Sequence, residues 1–124
     1  MVFGGDVPHF PAAVLTACRQ RMAGAAHVVG PATDGGFYLL GLSQCAGSLP
    51  AKLFAGIEWG AASVLERLLA NAERHGARLD RLTTLDDVDT VADLQLLARR
   101  EARYRRFLKQ PAAVAAAAPW LNNR

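Results

Sequence analysis

The chain has 124 residues and a formal net charge of +3, with 52% hydrophobic and 20% charged residues. This balance is typical of one small folded domain and excludes a disordered chain, which needs fewer apolar residues and more net charge. No apolar run approaches the roughly twenty residues of a membrane span. No basic region followed by an apolar stretch marks a secretion signal. We therefore expect a cytoplasmic protein without a membrane span.

Cysteine spacing disfavours a zinc-binding or disulfide-rich protein, and the charge distribution disfavours a nucleic-acid-binding protein. Cys18 and Cys45 lack the CxxC spacing and the histidine partners of a zinc site, and two cysteines do not make a disulfide framework. Basic residues are concentrated between Arg99 and Lys109 without an accompanying series of aromatic residues. That pattern favours a solvated helix surface over a nucleic-acid interface. The sequence predicts no nucleic-acid partner.

Apolar runs and helical periodicity alternate along the chain, which predicts α/β architecture. Residues 1–5 predict a buried strand that delivers Asp6 at its carboxyl end, and Pro11 opens a helix that Gly24 ends. The remaining predictions are strands at 27–29, 37–42 and 79–85, a short helix or turn at 48–54, a helix at 61–75 capped by Gly76, a helix capped by Thr90, and a weakly specified alanine-rich tail at 111–124.

Acidic residues follow the first and the last predicted strands. Asp6 lies where the main chain turns sharply, and ligands of open α/β sheets bind outside the carboxyl ends of strands. Asp86, Asp87 and Asp89 repel one another, and on an extended segment Asp87 and Asp89 point to the same side. A magnesium ion that takes a few carboxylates plus substrate oxygens fits this pattern. Helix and turn capping explains the same residues without a metal, so both interpretations stay open.

A glycine-flanked aspartate separates the second and third predicted strands. Gly35 and Gly36 allow close approach of a ligand, and Asp34 is able to accept hydrogen bonds from hydroxyls of a sugar or similar polyol. A tight turn without a ligand is the alternative. Trp59, in a glycine-rich connection, is a further candidate for the same cleft, although tryptophan there is more often a packing residue. No residue is assigned a catalytic role.

Four segments, in this order and spacing, resemble the glycosyltransferase-A-type nucleotide-diphospho-sugar transferase superfamily. The resemblance is to its subgroup of arsenosugar-biosynthesis-like glycosyltransferases, also labelled a domain of unknown function, and it extends to about Leu97. The segments are Gly5-Asp6-Val7-Pro8 with Pro11, residues 30–42 from Gly30-Pro31-Ala32-Thr33 through Asp34-Gly35-Gly36 to Gly41-Leu42, residues 53–59 with Val64-Leu65, and Asp87-Val88-Asp89-Thr90 with Asp93-Leu94.

The resemblance implies a Rossmann-like α/β/α sandwich with a mostly parallel sheet and a bound Mg²⁺ or Mn²⁺. Asp6 matches the metal-binding aspartate of the superfamily, Asp89 matches the later ligand position, and Asp87 is the neighbouring candidate. Asp34, Gly35 and Gly36 match a loop on the sugar or acceptor side. The implied reaction is metal-dependent sugar transfer from a nucleotide-diphospho-sugar donor to an acceptor.

Residues 1–110 resemble only the C-terminal portion of such a domain. The family begins with a strand and a basic, glycine-containing loop that holds the nucleotide, and we expect these nucleotide-binding strands to be absent here. A complementary N-terminal chain or a homo-oligomer would then supply the pocket, and the isolated chain would self-associate. Two alternatives stay open: a nucleotidyltransferase of the molybdenum-cofactor or phospholactate guanylyltransferase type, and a catalytically inactive remnant or binding module.

Overall fold

The computed structural model describes residues 1–43 and 47–108. These residues divide into two compact units, one spanning Met1–Asp87 and the other beginning at Val88. Cys45 and the tail predicted at 111–124 lie outside the described residues. The domain boundary predicted at residue 110 also lies there and stays a prediction.

The described residues of the first unit form a four-stranded sheet and three helices. Its strands appear in the order β1-β3-β2-β4 across the sheet. In chain order the elements are β1 (Val2–Phe3), α1 (Ala12–Ala23), β2 (His27–Pro31), β3 (Phe37–Gly41), α2 (Leu49–Leu53), α3 (Val64–Arg74) and β4 (Leu79–Arg81).

The sheet is mixed, so the prediction of a mostly parallel sheet is wrong for this chain. β3 pairs antiparallel with both β1 and β2, and only β2 and β4 pair in parallel. The reason is the short turn between β2 and β3, because two strands joined by so few residues must run in opposite directions. Past β4 the chain continues beside β2, with a parallel bridge between Ala32 and Leu85.

β2 and β3 are buried on both faces of the sheet. Val28 and Leu39 belong to one apolar cluster, which also contains Val14 and Cys18 of α1. Their neighbours along each strand, Val29 and Leu40, belong to a second cluster with the side chains of α2 and α3 that are buried there: Leu49, Leu53, Leu68 and Ala72. Successive side chains of a strand point to opposite faces. Helices therefore cover both faces of the sheet, as the predicted α/β/α layering requires.

Local sequence signals set the ends of α1 and α3. The helix predicted to open at Pro11 and end at Gly24 is confirmed as α1, with Pro11 just outside it as the N-cap and Gly24 as the C-cap. The helix predicted at 61–75 is confirmed as α3, but it begins three residues later, at Val64. Gly76 follows its C-cap at a φ of +69°, the conformation that favours glycine directly after a helix.

A buried amide holds α3 to the end of α2. Asn71 is 2% exposed, and its Nδ2 donates to the carbonyl oxygens of Leu53 at 2.9 Å and Ala55 at 2.8 Å. A buried polar group is tolerated when it is hydrogen-bonded in this way. These two hydrogen bonds hold the beginning of the α2–α3 connection, the segment that includes Trp59.

The second unit contains α4 (Val91–Arg100), a 3₁₀ turn (Ala102–Tyr104) and α5 (Arg105–Leu108). Thr90 caps α4 as predicted, in a reciprocal arrangement with Asp93. Hydrogen bonds from the Thr90 side chain and backbone lower the pKa of Asp93. Leu97, Ala98 and Tyr104 form a small apolar cluster, whereas Val91 at the beginning of α4 is 57% exposed.

No helix in the described part of the chain is long and apolar enough to cross a membrane. The longest described helix, α1, has 12 residues, whereas a spanning helix needs about twenty.

β1 is an exposed edge strand, so the prediction of a buried first strand is wrong. Val2 and Phe3 are 65% and 63% exposed, and β1 pairs only with β3 among the described strands. Burial was predicted because an apolar run leading to an acidic residue is typical of an inner parallel strand. An exposed apolar edge is instead a template for pairing with another chain.

We expect this edge to make the chain self-associate at micromolar concentration. Val2→Lys places a charge on the edge and should shift the sedimentation profile toward monomer. Val91→Lys is the matched control, because Val91 is similarly exposed but lies on a helix. A wild-type chain that sediments as a clean monomer would contradict the prediction.

Candidate functional site

The turn between β2 and β3 holds Asp34 in a fixed orientation. Gly36 N donates to Asp34 Oδ1 at 2.8 Å, and Ala32 N donates to Gly36 O at 3.0 Å. This is a side-chain-to-backbone turn of the kind that aspartate forms readily. It engages one carboxylate oxygen and keeps the exposed Asp34 side chain at the end of the sheet.

Gly35 ties this turn to the beginning of α3. Its φ is +92°, in the region that favours glycine. Its carbonyl oxygen accepts from Leu65 N at 2.9 Å, and a Cβ at Gly35 would overlap the carbonyl oxygen of Ala62. The turn therefore depends on glycine both for its backbone conformation and for its contact with the α3 end.

Asp6, Asp34 and Asp87 line one cavity of about 110 Å³. They come from three separate segments: the loop after β1, the β2–β3 turn and the segment after β4. The other described residues that line the cavity are Gly4, Val7, Ala32, Gly36, Phe37 and Tyr38, so no basic side chain is among them. Three carboxylates around one cavity concentrate negative charge, which a bound cation would relieve.

Two sets of backbone hydrogen bonds bring Asp6 and Asp87 to this cavity. Gly4 N donates to Tyr38 O at 2.8 Å, which extends the β1–β3 pairing to within two residues of Asp6. On the other side, Leu85 N donates to Pro31 O and Thr33 N donates to Leu85 O, both at 3.1 Å. The two acidic segments are thus anchored on opposite sides of the β2–β3 pair.

Tyr38 is a buried wall of the cavity that the sequence interpretation missed. Its hydroxyl donates to Thr83 O at 2.7 Å, and a Cβ at Gly30 would overlap its ring. Burial, and to a lesser extent the Cys18 thiol, raises the pKa of Tyr38, so the hydroxyl keeps its proton for this bond. The available signal was Gly30 inside an apolar strand, which often marks close approach of another group.

The other predicted site residues lie elsewhere. Trp59 is 61% exposed, packs its ring 5.8 Å from that of Phe54, and is not among the residues that line the cavity. Asp89 belongs to the second unit, where its backbone N–H donates to Asp93 Oδ2 at 3.3 Å. Within residues 1–43 and 47–108, no three His, Cys, Asp or Glu side chains form a ready-made metal ligand set.

Comparisons with known proteins agree with this architecture. Residues 1–61, just under half of the chain, match the model of a family described as an uncharacterized protein conserved in bacteria (DUF2064). A crystal structure from Desulfovibrio desulfuricans G20, provisionally named a nucleotide-diphospho-sugar transferase, matches with a TM-score of 0.72 and 29% identity. No curated protein matches the chain.

The structural match covers 92% of this chain but only 52% of the Desulfovibrio chain. This chain therefore spans about half of the length of the structure it resembles. The matches support the nucleotide-diphospho-sugar transferase superfamily that the sequence resembles. They do not show that this chain belongs to the arsenosugar-biosynthesis-like subgroup.

We expect Gly35→Ala to destabilise the first unit more than Gly60→Ala does. Both glycines have positive φ, +92° and +88°, so both substitutions carry a backbone cost of about 1–2 kcal/mol. Only at Gly35 does the new Cβ overlap another group, whereas at Gly60 it meets nothing within 4 Å. The added cost of displacing the Ala62 carbonyl should bring the Gly35→Ala total to about 3 kcal/mol.

Urea unfolding of both variants and the wild type measures the free energies of unfolding. Equal losses of stability in the two variants would contradict the anchoring role of Gly35.

Proposed function

We propose that this chain forms part of a glycosyltransferase that uses a nucleotide-diphospho-sugar donor, with Asp6 and Asp87 holding a divalent cation. The single cavity lined by Asp6, Asp34 and Asp87 carries the proposal. The similarity to the Desulfovibrio structure supports the same class of reaction. Because this chain spans about half of that structure, the complete activity, the donor and the acceptor are all part of the proposal.

The donor set around the cavity suits Mg²⁺ or Mn²⁺. Both ions prefer carboxylate oxygens, and Mg²⁺ is usually bound by one or two carboxylates together with substrate phosphates and water. Asp6 and Asp87 supply two such carboxylates on one cavity. The rest of the coordination shell would come from diphosphate oxygens and water, so the ion and the donor would bind together.

Asp34 has a different role in this proposal. Its Oδ1 already accepts from Gly36 N, which leaves Oδ2 to accept from a hydroxyl of the sugar or acceptor. A carboxylate held by its own turn is pre-oriented, so little side-chain freedom is lost when a hydroxyl binds. A Cβ at Gly36 would lie 3.1 Å from Asp34 Oδ1 and 3.6 Å from Oδ2, so glycine at this position keeps the carboxylate uncrowded.

Such a site would accelerate the reaction mainly by stabilising negative charge and by positioning the reacting groups. A bound divalent cation would neutralise the donor diphosphate and stabilise the nucleoside diphosphate as it leaves. Asp34 would orient a hydroxyl near the reacting sugar, while Val7, Phe37 and Tyr38 keep part of the cavity wall apolar. Oriented groups of this kind reduce the entropy cost of bringing donor and acceptor together.

The remaining predicted residues complete the proposal. Asp89, which matches the later ligand position of the superfamily, is proposed as a further candidate cation ligand. The exposed Trp59 ring offers a face on which a sugar or base ring can stack. A complementary N-terminal chain or a second copy would add the nucleotide pocket. Membership of the arsenosugar-biosynthesis-like subgroup is part of the same proposal.

Two measurements test the cation site in the full chain. Electron paramagnetic resonance measures Mn²⁺ binding alone, and calorimetry measures binding of nucleoside diphosphates and nucleotide sugars with and without Mn²⁺. Asp6→Asn and Asp87→Asn should each weaken Mn²⁺-dependent binding by about tenfold or more, because loss of even an outer partner of a metal site costs that much.

Asp80→Asn is the matched control, because it removes one carboxylate of the same unit outside the cavity lining. Asp80 lies 4.0 Å from Arg78 in an exposed pair, and exposed pairs contribute little to stability. Equal Mn²⁺ affinity in all three variants, or no Mn²⁺ binding by the folded wild-type chain even with a nucleoside diphosphate present, would contradict the proposal.

Product analysis separates sugar transfer from the alternatives. A glycosyltransferase releases a nucleoside diphosphate, whereas a nucleotidyltransferase releases diphosphate. An inactive remnant gives neither product, even when a complementary N-terminal chain is added. Either of these last two results would overturn the assignment to glycosyl transfer.

A further inference from the structure

Three sulfur atoms meet at the other end of β3, away from the carboxylate cavity. Cys18 Sγ lies 3.5 Å from Met1 Sδ and 3.7 Å from Met22 Sδ. The chain contains only two methionines and two cysteines. Three of its four sulfur-bearing side chains therefore converge on one point.

Secondary structure and a glycine together hold this cluster. Cys18 and Met22 are four residues apart on α1, a spacing that places two side chains on the same helix face. Val2 pairs with Leu40 in antiparallel register, which directs Met1 toward Gly41. A Cβ at Gly41 would lie 2.6 Å from Met22 Sδ and 3.4 Å from Cys18 Sγ. The space that a side chain would fill is occupied by sulfur.

The cluster is reached from a large, mainly apolar cavity. This cavity has a volume of about 760 Å³, and Met1 and Met22 both form part of its wall. Cys18 is fully buried but contacts both of these methionines. Neither a carboxylate nor an imidazole is among the described residues that line the cavity, which are Met1, Leu15, Arg19, Met22, Ala23, Ala25, Leu42 and Ser43. Apart from the Ser43 hydroxyl, the side-chain donors available for a metal ion here are therefore soft sulfur atoms.

We propose that Met1, Cys18 and Met22 form a binding site for a soft monovalent metal ion of the Cu(I) class. Thioether and thiolate ligands select Cu(I), whereas the carboxylates of the other cavity suit Mg²⁺ and Mn²⁺. On binding, the Cys18 S–H bond breaks and a sulfur–metal bond forms. The proton passes to solvent, the two thioethers donate lone pairs, and no atom changes oxidation state.

Anaerobic titration of the full chain with Cu(I), in competition with a chromophoric Cu(I) chelator, tests the site. Ag(I) is a redox-inert probe of the same chemistry, and intact mass confirms that Met1 is retained. We expect one equivalent of metal to bind, with a sulfur-only first shell in X-ray absorption. Cys18→Ser and Met22→Leu should each weaken binding by about tenfold or more.

Cys45→Ser is the control, because it removes the remaining thiol of the chain and should leave the affinity unchanged. Met22→Leu is close in volume and keeps the apolar contact, so thermal unfolding without metal should show a folded variant. Wild-type affinity in folded Met22→Leu, or loss of binding in Cys45→Ser, would overturn the proposal.

Discussion

The pairing of β3 with strands on both sides is the constraint on which the rest of the first unit depends. β3 lies between β1 and β2, and its Leu39 is fully buried. The antiparallel turn into β3 carries Asp34, while the pairing with β1 determines where Asp6 lies. Because β2 and β3 are buried on both faces, a slip of one residue in their pairing would move each side chain from one apolar cluster to the other. The two clusters pack against different helices, which opposes such a slip, so the core also fixes the geometry of the cavity.

Local signals in the sequence were sufficient to predict where helices begin and end, because these features depend on residues close together in the chain. Thr90 and Asp93 form a reciprocal cap, and such a cap needs only residues three apart. Gly76 ends α3 for an equally local reason, because its positive φ favours glycine directly after a helix. These features were predictable because the interacting groups are fixed by the backbone of a single turn.

Strand direction and burial depended on residues far apart in the chain. An apolar strand that ends near an acidic residue is compatible with a buried parallel strand and with an exposed antiparallel edge, and β1 is the latter. Its partner Leu40 is 38 positions beyond Val2 in the numbering. The contribution of Tyr38 to the cavity was missed for the same reason, because its hydroxyl bonds to Thr83 across two strands. The association of Asp6 with Asp87 was predicted from their places after the first and last predicted strands, and the resemblance to a family implied it independently.

β3 also separates two chemically different sets of donors. Gly4 bonds to Tyr38 near the start of β3, so Asp6 and the hard carboxylate oxygens lie at that end. The Val2–Leu40 pair points Met1 toward Gly41, so the soft sulfur atoms lie at the other end. Tyr38 and Gly41 are three residues apart, which corresponds to about 10 Å along an extended strand. A hard divalent cation and a soft monovalent cation would thus be kept apart by ligand chemistry and by strand length. The two residue pairs that join β1 to β3 position Asp6 at one end of the strand and Met1 at the other. The short, exposed β1 strand therefore positions one ligand of each proposed cation site.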